Sequence, residues 1–182
     1  MSEQRPRYQR SVSGMVGAFL VLLLLLAVFV GFRALTRDEL EAQPEPIDHL
    51  AVVESLQRDG QRVAYPPSLP EGWVVTSVDS TGAEELVWGI GMLTDDDRFA
   101  GVRHESRSPA DLVEEYVDED AAEGDPVAVA GDLAGRWSTF TDPEGDTALV
   151  TERGDATVLV YGSASASDLR RLAESLTTAP VR

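Results

Sequence analysis

Asp146-Thr-Ala-Leu-Val-Thr-Glu-Arg-Gly-Asp-Ala-Thr-Val-Leu-Val-Tyr161 reads as two strands around a tight turn. Residues 146–152 and 156–161 are rich in β-branched side chains, and Arg153-Gly154-Asp155 between them is short and holds a glycine. Such a link joins antiparallel neighbours, because a parallel crossover needs a dozen residues or more. Upstream, Asp142-Pro143-Glu144-Gly145 joins residues 136–141 to this pair in the same way, and Gly131 to Gly135 separates 136–141 from a further strand at 126–130. Downstream, Ser165 to Ser175 reads as a helix. Ser165 and Asp168 form a capping pair, and Leu169, Leu172, Ala173 and Leu176 recur at helical spacing.

The same reading extends toward the N-terminus. Leu69-Pro70-Glu71-Gly72-Trp73 is a turn feeding a strand at 73–79. Leu86, Trp88, Ile90 and Met92 share one face of a second strand, Asp95-Asp96-Asp97 turns, and residues 98–105 return as a third. Ser108-Pro109-Ala110-Asp111 starts a helix whose buried face holds Leu112, Val113, Tyr116 and Val117. Ile47, Leu50, Val53 and Leu56 mark a short amphipathic helix that Gly60 ends. The fold class is therefore α+β: an antiparallel sheet of about six or seven strands, with the two later helices expected on one face of it.

The chain's 22 residues between Arg10 and Arg33 carry no formal charge. Roughly 20 apolar residues in a helix span the ~30 Å hydrocarbon core, so residues 12–33 are expected to form a transmembrane helix contacting membrane lipid. The run is longer than the apolar region of a signal peptide, and no A-x-A-like site follows it. Arg5, Arg7 and Arg10 before the span outnumber Arg33 and Arg37 after it. This bias puts residues 1–11 in the cytoplasm and the rest outside the cell membrane. Residues 34–46, rich in Glu, Gln and Pro, read as a stalk, and residues 47–182 as one extracytoplasmic domain.

Composition removes several chemistries. All 15 basic residues are Arg; Lys and Cys are absent. That excludes a P-loop, a Schiff-base lysine, a thiolate nucleophile, a disulfide framework and a cysteine zinc site. The net charge of −17 becomes −20 beyond residue 33. Such a surface argues against nucleic acid as a partner.

Three features resemble a family of actinobacterial single-pass membrane-anchored proteins defined only as a domain of unknown function. They are the Arg-rich start with one apolar span, Pro66-Pro-Ser-Leu-Pro-Glu-Gly-Trp73, and Thr157-Val-Leu-Val-Tyr-Gly162 followed by the Leu169–Leu176 helix. The Arg-only composition fits the high-GC coding of that group. The resemblance implies a membrane anchor and carries no catalytic residues. The order of elements is also similar to small sensory or carrier domains on the outer face of bacterial membranes, a likeness of fold that assigns no function.

Individual candidates have plain alternatives. His104, with Ser106 or Ser163, is the sole basis for a hydrolase, and a partly buried strand histidine is the better reading. His49 is expected to be solvated or to line the first helix. Ser163 in Gly162-Ser163-Ala164-Ser165 lacks the second glycine of a nucleophile elbow and is expected to cap the following helix. Asp142, Glu144 and Asp146 are the best of three acidic turns for Ca²⁺, but none has EF-hand spacing and no metal site is expected. Arg153-Gly154-Asp155 matches an adhesion tripeptide, yet a hairpin tip calls for the same residues. Trp73, Trp88 and Trp137 are expected in the core.

The function expected from these residues is non-catalytic binding or scaffolding at the cell envelope, with no cofactor and with an envelope protein or small ligand as partner. The alternative is a carrier or sensor of a small apolar or lipid ligand. Its pocket would lie between sheet and helices and be lined by Trp88, Ile90, Leu112 and Tyr116, with Trp137 as a further aromatic contact.

Overall fold

A computed structural model of the chain describes residues 12–37, 47–81 and 86–181. Residues 1–11, and residues 38–46 of the expected stalk, lie outside them. The chain divides into two units, Met1–Pro44 and Glu45–Arg182.

The first unit contains α1 (Val12–Arg37), 26 residues without an acid in its first turn. The helix continues to Arg37, so the first residues read as stalk are helical. Its side chains are described without interruption over Phe19–Phe29, where Phe19, Leu22, Leu24 and Phe29 are all exposed. Such a stretch rises only about 16 Å. Among the described residues no helix is long and apolar enough to cross a membrane.

The second unit begins with α2 (His49–Arg58), capped by Asp48, whose carboxylate accepts the Ala51 N–H at 3.2 Å. Three strands follow as a meander: β1 (Val74–Thr81), β2 (Val87–Leu93) and β3 (Phe99–Glu105). The turn into β1 forms, but with Pro70 as its first residue: Trp73 N–H donates to the Pro70 carbonyl and Gly72 stands third at φ +80°. Next comes α3 (Pro109–Tyr116), where Ser108 Oγ accepts the Asp111 N–H and Pro109 occupies the first turn. A second meander consists of β4 (Ala122–Val129), β5 (Gly135–Thr141), β6 (Thr147–Arg153) and β7 (Ala156–Gly162), before α4 (Ala166–Ser175). Ser165 Oγ accepts the Asp168 N–H at 3.1 Å, so the expected cap forms.

All seven strands join one antiparallel sheet in the order β1-β2-β3-β7-β6-β5-β4. Pairing of β3 with β7 fuses the two meanders. β4 starts earlier than its sequence suggests, because its register shifts between Gly124 and Val127 and the irregularity hides the alternation. Pro126 within it is tolerated because β4 is an edge strand.

The sheet has a core on each face. Ile90, Val102, Val160 and Leu149 lie in one row across β2, β3, β7 and β6, and α2 and α4 cover that row with Val53, Leu169, Leu172 and Ala173. The intervening residues Leu159, Val150 and Ala148 face the other way and meet Leu112 and Val113 of α3. The expectation of two helices on one face is thus corrected: α3 and α4 pack on opposite faces. Ala148–Thr151 and Ala156–Val160 are buried throughout, because strands covered on both faces need apolar side chains at consecutive positions. Each fully buried Leu or Val on either side contributes roughly 1.5–3 kcal/mol.

Candidate functional site

The two-sided sheet separates the expected pocket residues. Trp88, Ile90 and Trp137 belong to the larger core; Leu112 and Tyr116 belong to the smaller one across the sheet. Trp88 donates from Nε1 to the Ala64 carbonyl at 2.8 Å, and Trp137 to the Leu133 carbonyl at 3.2 Å. Both indoles are fully buried, as is Leu112. These five residues cannot line one common pocket, because a β-sheet stands between the two groups.

The other candidates have structural partners. His104 is buried opposite Trp88 and Val158 in the sheet register, and its Nδ1 accepts the Ala64 N–H at 3.1 Å. Burial pushes its imidazole down to about 4, partly offset by the Asp155 charge. Ser163 does not cap α4; Ser165 does, while Ser163 Oγ accepts the Phe99 N–H at 3.0 Å and extends the tie between β3 and β7. His49 is buried rather than solvated, with Nε2 donating to the Pro66 carbonyl at 3.0 Å. Arg153 of the Arg-Gly-Asp tripeptide is turned back, donating to Thr151 Oγ1 and to the Leu133 carbonyl. Asp142 Oδ1 accepts the N–H groups of Gly145 and Asp146, which makes it a turn residue. Among the described residues no group of three or more His, Asp or Glu is placed to hold a metal ion.

Sequence reasoning passed over Glu105. Its carboxylate is 1% exposed. It accepts a 2.8 Å hydrogen bond from Tyr116 Oη and lies 3.6 Å from the Arg107 guanidinium and 3.9 Å from that of Arg103. Arg103 also pairs with Asp79 at 2.8 Å and sits 4.3 Å from the centroid of the Tyr116 ring. Arg107 pairs with Glu115, holding that carboxyl below its usual range. Burial, joined by the bond to Glu105, raises the Tyr116 hydroxyl above its ordinary value. Gly89 and Gly101 form the floor, since a Cβ at either would strike the Arg103 guanidinium or the Tyr161 ring. The cluster ties β3 to α3 and satisfies its own charges, so it offers strength rather than a vacant site.

Open space lies elsewhere, where α2, the Gly131 turn and the segment after α4 converge. One cleft of about 420 Å³ is lined by Leu50, Tyr65, Pro67, Asp132, Glu174 and Pro180, among others. A second, of about 690 Å³, is lined by Gln57, Gln61, Arg62, Asp132, Thr178 and Ala179, among others. Asp132, Thr177, Ala179 and Pro180 border both. Thr177 Oγ1 donates to Asp132 Oδ2 at 2.5 Å, and the Thr177 backbone bridges to Tyr65. Gly131, at φ +89°, lies so close to the Glu174 carbonyl that no Cβ fits between them.

The sequence matches the family model described as "Protein of unknown function (DUF4245)" over residues 7–176. The chain belongs to this family. A comparison with the curated proteins finds no match. The DUF4245 match takes in both cores of the sheet and most of the cleft walls, and ends at Leu176, just before the segment that divides the two clefts. The sequence reading had placed Leu50, Gly60, Pro67, Gly131, Ser175 and Leu176 in separate elements and not in one site; the walls come from parts of the chain far apart in sequence.

Proposed function

We propose that this DUF4245 chain is a single-pass membrane-anchored binding domain of an actinobacterial cell envelope, with no catalytic role of its own. The observation that carries the reading is the pair of clefts meeting at Asp132 and Thr177, about 420 and 690 Å³. Both fall within the ~300–1,000 Å³ range of ligand sites. Residues 12–33 are the anchor, supported by the 22 uncharged residues between Arg10 and Arg33. The arginine bias supports a cytoplasmic N-terminus and an outward domain. The partner is an envelope protein or small ligand received in the cleft. His104, whose Nδ1 accepts a backbone N–H, is a structural residue in this reading rather than a base.

A photo-crosslinking side chain at Pro67 or Glu174, on the cleft walls, tests this in the full chain in native membranes. Discrete adducts are expected from these positions and not from Glu144 in the β5–β6 turn. Adducts that ignore position, or none at all, would overturn the reading.

A further inference from the structure

The segment between the two clefts is held through its main chain, through the Thr177 hydroxyl, which donates to Asp132 and accepts the Ala179 N–H, and through Val181 packed on the larger core. Tyr65 and Thr177 exchange both backbone hydrogen bonds, at 3.0 and 2.9 Å. The Gln57 side chain then takes two groups of the segment together: Nε2 donates to the Ala179 carbonyl at 2.9 Å, and Oε1 accepts the Val181 N–H at 2.9 Å. Tyr65 Oη adds a second donor to the same carbonyl at 3.0 Å. Pro180 lies between the two groups that Gln57 reads, where its missing N–H leaves no donor unpaired. A proline also biases the residue before it toward extended backbone.

A main-chain grip flanked by pockets is how proteins receive extended peptides: backbone bonds supply affinity and the pockets select side chains. Here the pockets are larger than the occupant. Ala179 and Pro180 are exposed and small, yet both border the 420 and 690 Å³ clefts. The segment also begins where the family match ends, whereas Gln57, Tyr65 and Asp132 lie inside it.

We propose that the cleft is a binding site for an extended peptide with Pro at the position of Pro180, filled here by the chain's own residues 177–181. A peptide in trans takes the same hydrogen bonds from Gln57 and Tyr65 once that segment is displaced, and a larger residue in place of Ala179 fills the flanking space. This rests on the cleft being the binding surface proposed above and names the class of partner.

The test uses the full chain in detergent micelles and a fluorescein-labelled Thr-Thr-Ala-Pro-Val-Arg peptide. A chain ending at Leu176 is expected to bind it saturably, at least about tenfold more tightly than the intact chain. Gln57→Ala in the shortened chain should weaken binding by about the same factor, following 1.4 kcal/mol per tenfold for the lost hydrogen bonds. A peptide with Leu at the Ala179 position should bind more tightly. A shortened chain that melts cooperatively but binds no peptide, or binds it regardless of Gln57→Ala, overturns the proposal. Should shortening prevent folding, Val181→Pro in the intact chain removes the N–H that Gln57 accepts. That variant must then bind the peptide more tightly than the unaltered chain, and equal binding overturns the proposal. If peptide binding fails while crosslinks from Pro67 persist, the peptide class alone falls; if both fail, the broader reading falls with it.

Discussion

At the scale of single residues, two buried ionisable groups have opposite consequences. His104 is neutral in the fold, with its imidazole at about 4 against an ordinary 6.5. Between these values the unfolded chain binds a proton that the folded chain refuses, so stability falls as pH drops from about 6.5 toward 4. At ~1.4 kcal/mol per unit, the full loss is about 3 kcal/mol. Asn at position 104 keeps an acceptor near Nδ1 and removes the titration. Urea unfolding at pH 7 and pH 4.5 should therefore show a smaller loss for His104→Asn than for the native chain. Glu105 behaves differently, since its charge is the one Arg103 and Arg107 share. Glu105→Gln should cost about 2–4 kcal/mol at neutral pH, somewhat under the usual figure for breaking a buried pair because Asp79 and Glu115 remain. An unchanged urea midpoint would show that the cluster contributes little. The sequence marked position 104 through its residue type and passed over position 105, because a lone Glu at a strand end looks solvated until Tyr116 and two arginines close over it.

At the scale of elements, hairpins and caps were legible because their determinants are local. Ser108 with Asp111 and Ser165 with Asp168 sit three residues apart, and the short glycine-bearing links admit only antiparallel neighbours. The consecutive apolar residues of β6 and β7 also carried the sign of a sheet covered on both faces, but they were read only as hairpin strands. The junction of the meanders had no such local marker. Gly101 lies opposite Tyr161, and the tyrosine ring takes the space beside it: a Cβ there would come within 2.5 Å of the ring. Gly101→Ala is expected to destabilise the domain by about 1–3 kcal/mol through overpacking. Truncating the ring should relieve the clash, so the alanine should cost less in a Tyr161→Leu background. A double-mutant cycle of thermal unfolding reads that difference, and strict additivity would refute the assigned contact.

At the scale of the molecule, the charge has a direction. Beyond residue 33 the chain carries a net of −20, while four arginines precede or border the apolar run. That asymmetry favours basic partners for the part of the chain beyond residue 33, with an attraction that weakens as salt rises. The proposed anchor predicts that the full chain stays in the membrane pellet through an alkaline wash. Changing Leu22, Leu24 and Leu26 together to Arg should release it, since each charge at the centre of a span costs roughly 2.5–3.5 kcal/mol on insertion scales. Retention of the triple variant would argue against insertion of this segment.

What the sequence determined by itself was what neighbouring residues settle among themselves: helix caps, hairpin turns, the strand periods, the length of the apolar run and the sign of the charge. Only the tertiary structure decided which meander edges meet, that α3 and α4 lie on opposite faces, and that Gln57, Tyr65 and Asp132 converge on the segment 177–181. The reason is physical. Local bonds close short loops and leave their signature at fixed spacings. The β3–β7 pairing and the cleft join residues tens of positions apart, whose contact depends on how two apolar faces of one sheet are covered.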